Sequence, residues 1–421
     1  MKVMVLGSGA KDHAVTWWFS RSRLIDGLYA APGNVGTRSV AVNLPDVDPA
    51  DPEAVYAACT AHGIDFVFVG TEAPLLTGVI DYLNKRGIDT FGAPGYALKL
   101  EDDRVFAREF MARHGIPFPA WHLIKSARYL GPYLKRNEGR KLVIKKKALS
   151  TSREILRSSD TEKLSAFAKT LLASGPVFIE EAVEGMPITV TILLDNNGYL
   201  ALPYCSEYTK SEHGDASSAT GGMGSICPIP LSEDVRSDIV SKIVRPTLNG
   251  MRAEGLSYKG VLTFSIVLAA DGPVLVDYHV RFNDPAAQSF VPIVSNDLAE
   301  LMEAIKTDSL GSCTLQTTGK STVCVVIASE GYPENPVTGK TVNPIPSQKK
   351  YNVSRENPYI FFGAVKEQDG VMVTTGGRCA SIVGHGQNII QANSMAYAHI
   401  GDVTFEGSWY RSDIGNKFFE N

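Results

Sequence analysis

Ala219-Thr220-Gly221-Gly222-Met223-Gly224, running on to Cys227-Pro228-Ile229-Pro230, decides how the chain is read. Three glycines within four residues favour neither a regular helix nor a strand, because each costs roughly 0.5–1 kcal/mol there relative to alanine. Such a cluster fits a loop whose backbone passes close to a ligand or takes positive φ. An ordinary surface turn would have the same composition.

A second run narrows the choice. Tyr278-His279-Val280-Arg281-Phe282-Asn283-Asp284-Pro285 places an arginine and an aspartate just past the apolar stretch Pro273-Val274-Leu275-Val276. A buried strand that delivers charge at its end points to chemistry there.

Working outward, Lys2-Val3-Met4-Val5-Leu6 ends in Gly7-Ser8-Gly9 and precedes an amphipathic stretch through Trp17, Trp18 and Phe19, which predicts strand, turn and helix. Leu28-Tyr29-Ala30 and Phe66-Val67-Phe68-Val69 flank a helical stretch near Ala54 to Ala61, the alternation of a parallel sheet with ligand loops at its strand C-termini. No acidic residue has the spacing for a dinucleotide ribose, so the first domain is expected to take a phosphate or sugar phosphate rather than NAD. A charged helix is predicted from Asp102 to His114, stopped by Ile116-Pro117-Phe118-Pro119. Leu142-Val143-Ile144-Lys145 and Val177-Phe178-Ile179-Glu180-Glu181 read as strands that end in charge. Taken alone, Lys145 would fit a solvated strand end. Thr322-Val323-Cys324-Val325-Val326-Ile327-Ala328 opens a further β-rich region.

Composition sets the outer limits. A chain of 421 residues with 44% apolar content implies two to four domains. No apolar run approaches the roughly 18 residues of a membrane span, and Met1 to Leu6 leads into a glycine turn rather than a leader cleavage region, so a cytoplasmic protein is expected. With a net charge of -4 and interspersed signs there is no footprint for nucleic acid or an anionic membrane. The six cysteines show no Cys-x-x-Cys spacing, which argues against a zinc site or a disulfide framework.

In order along the chain, Gly7-Ser8-Gly9-Ala10-Lys11-Asp12-His13-Ala14, Ala31-Pro32-Gly33-Asn34-Val35-Gly36-Thr37, Val69-Gly70-Thr71-Glu72-Ala73-Pro74-Leu75, the glycine cluster, the Arg281 run, Thr375-Gly376-Gly377-Arg378 and Tyr410-Arg411-Ser412-Asp413-Ile414-Gly415 resemble the phosphoribosylamine–glycine ligase family of the ATP-grasp superfamily. The resemblance implies a mixed α/β and α+β architecture. A doubly wound α/β sugar-phosphate domain would occupy residues 1–100, an ATP-grasp region with its small lobe 101–190, a large lobe 191–321 and a β-rich domain 322–421.

By the same resemblance Arg281 and Asp284 are the catalytic candidates, Arg281 anchoring a carboxylate. Arg104, Lys145, Arg153, Glu180, Glu181 and Val183 would line ATP. Gly9, Lys11, Asp12, His13, Pro32, Gly33, Asn34 and Glu72 would hold the phosphoribosyl group, and Gly221, Gly222, Met223 and Gly224 would face the substrate. Asp277 and His279 fall at the metal positions, for Mg2+ or Mn2+. Expected partners are a small sugar phosphate and an amino acid, bound by a monomer or homodimer.

The chain departs from the family where phosphate and metal are held. A glycine-rich phosphate loop is replaced by Lys146-Lys147-Ala148-Leu149-Ser150-Thr151-Ser152-Arg153-Glu154, which is expected to be ordered or helical rather than a mobile lid. Any of these residues forced into a left-handed conformation would cost roughly 1–2 kcal/mol, and Glu154 brings negative charge toward phosphate. Glu-Phe-Asn becomes Asp277-Tyr278-His279, a shorter carboxylate and an imidazole that suits magnesium poorly. Arg104 replaces a lysine, and Asp-Pro-Glu becomes Asp284-Pro285-Ala286. Three functions fit: an amide-forming ATP-dependent ligase, a ligase of changed substrate in a specialised nucleoside-like pathway, or a silent binding protein.

Overall fold

The computed structural model describes residues 1–149, 152–212, 218–343 and 357–419. Its first sheet is fully parallel, with strands in the order Val42–Asn43, Gly27–Pro32, Lys2–Gly7, Phe66–Val69 and Asp89–Phe91. Val3 to Leu6 and Phe66 to Val69 are buried, as continuous apolar strands sandwiched between helices must be. Strand order reverses beside Lys2–Gly7, so the turns after Gly7 and Val69 flank the crevice where such sheets bind ligands.

The small lobe is a four-stranded antiparallel sheet in the order Trp121–Ile124, Val177–Glu181, Leu142–Lys146 and Ile155–Ser158. Leu142, Ile144, Val177 and Ile179 pack on helices Ala127–Arg136 and Thr161–Leu172. Strand alternation therefore turns Lys145 and Glu180 to the opposite face. Lys145 is only 3% exposed, which excludes the solvated strand end.

The predicted helix from Asp102 to His114 is present as Arg104–Arg113, and a separate helix, Gly95–Asp102, precedes it. Asp103 sits between them in extended conformation and accepts from the Val105 and Phe106 amides, capping the second helix. That break sets Arg104 at the helix start and Arg108 one turn on, both facing the large lobe.

The large lobe pairs Tyr199–Ala201, Met186–Leu194, Gly260–Ala269 and Gly272–His279 antiparallel. A fourth sheet joins Ser206–Lys210, Ala219–Cys227, Ser321–Ala328, Arg378–Gly386 and Tyr359–Phe362, so two strands before residue 321 continue into the C-terminal β region.

This corrects the reading of the glycine cluster: Ala219–Cys227 is a strand, not a loop. Gly224 is paired on both sides, with Tyr208 and Val325, whereas Gly221 and Gly222 fall in the register irregularity between the Ala219 and Gly224 pairs, and close approach explains the glycines' presence. Gly222 has φ +112°, and a Cβ there would lie 2.4 Å from the Pro285 ring. At Gly224 it would meet the Cys324 carbonyl at 2.6 Å.

Candidate active site

Three charged clusters follow one another along the Asp277 to Asp284 run, and each is completed by residues far away in sequence.

In the first, the Asp277 carboxylate stands between the lobes. Its Oδ1 accepts from Arg104 at 2.7 Å and its Oδ2 from Lys145 Nζ at 2.8 Å. Behind them Glu180 takes Lys145 at 2.6 Å and Arg108 at 2.6 Å, and Arg108 also donates to the Val276 carbonyl at 2.5 Å. Burial raises the pKa of Asp277, but Lys145, Arg104 and Arg108 outweigh it and hold the carboxyl well below the usual range. Arg108 and Glu180 are 1% and 2% exposed, so the pair is committed to the interior.

The altered phosphate loop lies beside this cluster. Its described residues avoid the left-handed strain expected of them, since none takes positive φ. A 3-10 turn covers Ser152–Glu154, in keeping with the expected ordered or helical form, while Ser150 and Thr151 lie outside the described residues. Glu154 is paired with Lys146, and Lys147 with Asp103 at 2.9 Å, so the unfavourable charge is neutralised locally. Arg153 donates to the Pro333 carbonyl at 2.9 Å, a contact with the C-terminal region. Glu181 turns outward to Arg140, and the Val183 carbonyl accepts from Arg157.

In the second cluster Arg281 bridges Glu72 at 2.7 Å and Glu101 at 3.0 Å. Glu101 also receives the Val280 amide at 2.9 Å and His279 Nδ1 at 3.1 Å. Its burial is unfavourable to charge, yet Arg281 and His279 bring its pKa down to about 2. Glu72 and Arg281, both singled out in the sequence, are thus brought together, and Glu101 was missed.

The third lies at the crevice of the parallel sheet. A cavity of about 540 Å³ is lined by Ser8, Gly9, Pro32, Gly33 and Asn34 on one side and by Asp284, Tyr332, Lys366 and Arg378 on the other. Arg378 donates to the Asp284 carboxylate at 2.8 Å and to the Gly221 carbonyl at 2.7 Å, tying the glycine strand to the Asp284 turn. Met223 is fully buried in that strand. The polar side chains of the N-terminal motifs are largely engaged internally. Asn34 Nδ2 donates to the Ser8 and Phe362 carbonyls at 2.8 and 2.7 Å, and its Oδ1 accepts from Gly36 and Thr37. His13 Nδ1 accepts from Phe362 at 3.0 Å, and burial lowers its pKa to about 3, so it is neutral. Lys11 donates to the Phe282 carbonyl. Asp12 accepts from the Gly9 amide through Oδ2, but its buried Oδ1 has no partner and burial raises its pKa to about 6.

The metal positions do not fit a divalent cation. Both Asp277 oxygens are held by cations. His279 approaches Glu101 with Nδ1 and Ser265 Oγ with Nε2, each at 3.1 Å. An Nδ1 proton satisfies the Glu101 carboxylate, which leaves the Nε2 lone pair to accept the Ser265 hydroxyl. Among the described residues no group of three or more His, Cys, Asp and Glu could hold a metal.

A split sheet pair closing over a cleft beside a parallel α/β domain is the ATP-grasp architecture. Residues 1–101, 102–287 and 322–417 match the N domain, ATP-grasp (A) domain and C domain of phosphoribosylglycinamide synthetase. The chain belongs to the phosphoribosylamine–glycine ligase family: it is 32% identical to the phosphoribosylamine–glycine ligase of Rhodopirellula baltica over 99% of this chain and 97% of that protein, and 33% identical to that of Agrobacterium fabrum over 99% and 98%. The crystal structure of phosphoribosylamine–glycine ligase from Thermotoga maritima superposes with a TM-score of 0.82 at 27% identity, covering 98% of this chain and all of that one. The biotin carboxylase domain of Hydrogenobacter thermophilus 2-oxoglutarate carboxylase, solved with MgADP, shares the fold, with a TM-score of 0.72 at 14% identity over 97% of this chain and 91% of that one. No helix among the described residues is long and apolar enough to cross a membrane.

Proposed function

We propose that this chain is an ATP-dependent carbon–nitrogen ligase that joins the carboxyl of glycine, or another small amino acid, to the amine of a phosphoribosylamine-like sugar phosphate. One observation carries the reading. The Asp277 cation cluster and the sugar-phosphate crevice are joined by one run of chain, Asp277 to Asp284, in which His279 and Arg281 meet Glu101 and Arg378 holds Asp284.

In the reaction a carboxylate oxygen attacks the γ-phosphorus of ATP, releasing ADP and leaving an acyl phosphate. The amine nitrogen then attacks the acyl carbon, phosphate departs with that oxygen, and the amine loses a proton. Positioning and charge neutralisation supply most of such catalysis. Arg104 and Lys145 face the transferring phosphoryl group once Asp277 gives way. Arg281 and Arg378 each hold internal carboxylates and present the remaining guanidinium edge to an incoming anion. The backbone of Gly9, Gly33 and Asn34 lines the sugar-phosphate side.

The test is ADP release from ATP with glycine and phosphoribosylamine generated in place, with the amide product weighed by mass spectrometry. Release that needs both co-substrates supports the reading; none above background with any small amino acid contradicts it. The two cations already paired with Asp277 favour one variation, a ligase whose nucleotide cleft is adapted to a different acid or amine, and the same assay with alternative acids reads that out.

A further inference from the structure

We propose that the cleft binds the nucleotide's phosphates through Arg104 and Lys145 directly, without a divalent cation, and that Asp277 is the internal anion those phosphates displace. This rests on the nucleotide reading above.

Four observations lead there. Asp277 occupies the position from which a metal would be held, yet each of its oxygens is taken by a different cation at 2.7 and 2.8 Å. Arg108, 1% exposed and 4.0 Å from the same carboxylate, adds a third positive charge from behind. A divalent cation placed at Asp277 would meet all three. The neighbouring His279 has both ring nitrogens in hydrogen bonds and offers no free lone pair.

The charge count points the same way. Glu180 is 2% exposed and fixed between Lys145 and Arg108, so it cannot leave. Asp277 is 20% exposed, so it can. When it turns aside, one ammonium and one guanidinium fork face the cleft, the pair suited to a polyphosphate as point charge and bidentate donor.

The experiment is calorimetric titration of ATP into the full chain in excess EDTA and in excess magnesium. The expected result is affinities that differ by less than about tenfold. Asp277→Asn, checked by its melting curve, should tighten binding in EDTA, because the competing anion is gone. The double variant Asp277→Glu with His279→Asn, which restores a longer carboxylate and an amide oxygen, should make binding magnesium-dependent by about tenfold or more. Wild-type binding that weakens tenfold or more in EDTA overturns the inference and leaves the ligase reading standing, and that comparison needs no variant. Loss of binding in Asp277→Asn with an unchanged melting curve also overturns it. No ATP binding under either condition overturns both.

Discussion

Arg104 and Asp277, 173 residues apart in the chain, meet in a 2.7 Å ion pair that joins the helix leading into the small lobe to the last strand of the large one. The same carboxylate holds Lys145 from the small-lobe sheet. Any anion that enters there must compete with Asp277 for both cations.

The buried partner of this network should dominate stability. Replacing Glu180 by Leu takes from buried Arg108 its 2.6 Å carboxylate partner, leaving it the Val276 carbonyl and Asp277 at 4.0 Å, and should cost about 3–5 kcal/mol. Arg108→Met with Glu180→Leu removes both charges and should recover much of that loss. Urea unfolding of the two single variants and the double variant measures the coupling; strictly additive losses would show that the pair is not the cause.

Asp12 should make stability fall as pH rises. Its folded pKa, about 6, is above its ordinary value of 3.8, so the native state binds the proton more tightly. The stabilising contribution is full below about pH 4 and is lost as pH climbs through 6, amounting to about 3 kcal/mol. Asp12→Asn, whose side-chain oxygen can still accept from Gly9, should flatten the slope across that window in denaturant titrations.

Gly222 is tied to its backbone geometry. Gly222→Ala places a Cβ at φ +112°, 2.4 Å from Pro285 and 2.8 Å from the Asp284 carbonyl. The strain alone is roughly 1–2 kcal/mol. Because the clash pushes on the Asp284 turn, turnover should fall even where the variant remains folded, which a melting curve and steady-state kinetics together will show.

Lys366 lines the 540 Å³ crevice and is exposed. Lys366→Glu should weaken binding of ribose 5-phosphate by about tenfold, or 1.4 kcal/mol, while moving the melting temperature little. Unchanged affinity would place the phosphate elsewhere in the cleft.

Much of the architecture was legible because it rests on local pattern. The apolar runs from Val3 to Leu6 and Phe66 to Val69 are long, unbroken strands, and the Lys145 and Glu180 strands fall where their sequence places them. The glycine cluster misled because glycines also permit close approach within a strand, and what they accommodate is Pro285, Cys324 and Arg378 rather than a turn. The helix read from Asp102 to His114 was legible too, and Asp103 starts it slightly later by capping the Val105 and Phe106 amides. Arg108, Glu101 and Arg378 were not among the candidate site residues for another reason. Their partners lie 72, 180 and 94 residues away, and no spacing rule announces such pairs. Arg378 did carry a signal, the glycines at 376 and 377 before it.

Acyl transfer through a phosphorylated carboxylate can be followed by oxygen tracing. With glycine labelled by 18O in its carboxyl group, ATP and the amine present, each turnover should deliver one labelled oxygen to inorganic phosphate, because the oxygen that attacks phosphorus leaves with it. Amide formation with unlabelled phosphate would contradict the account.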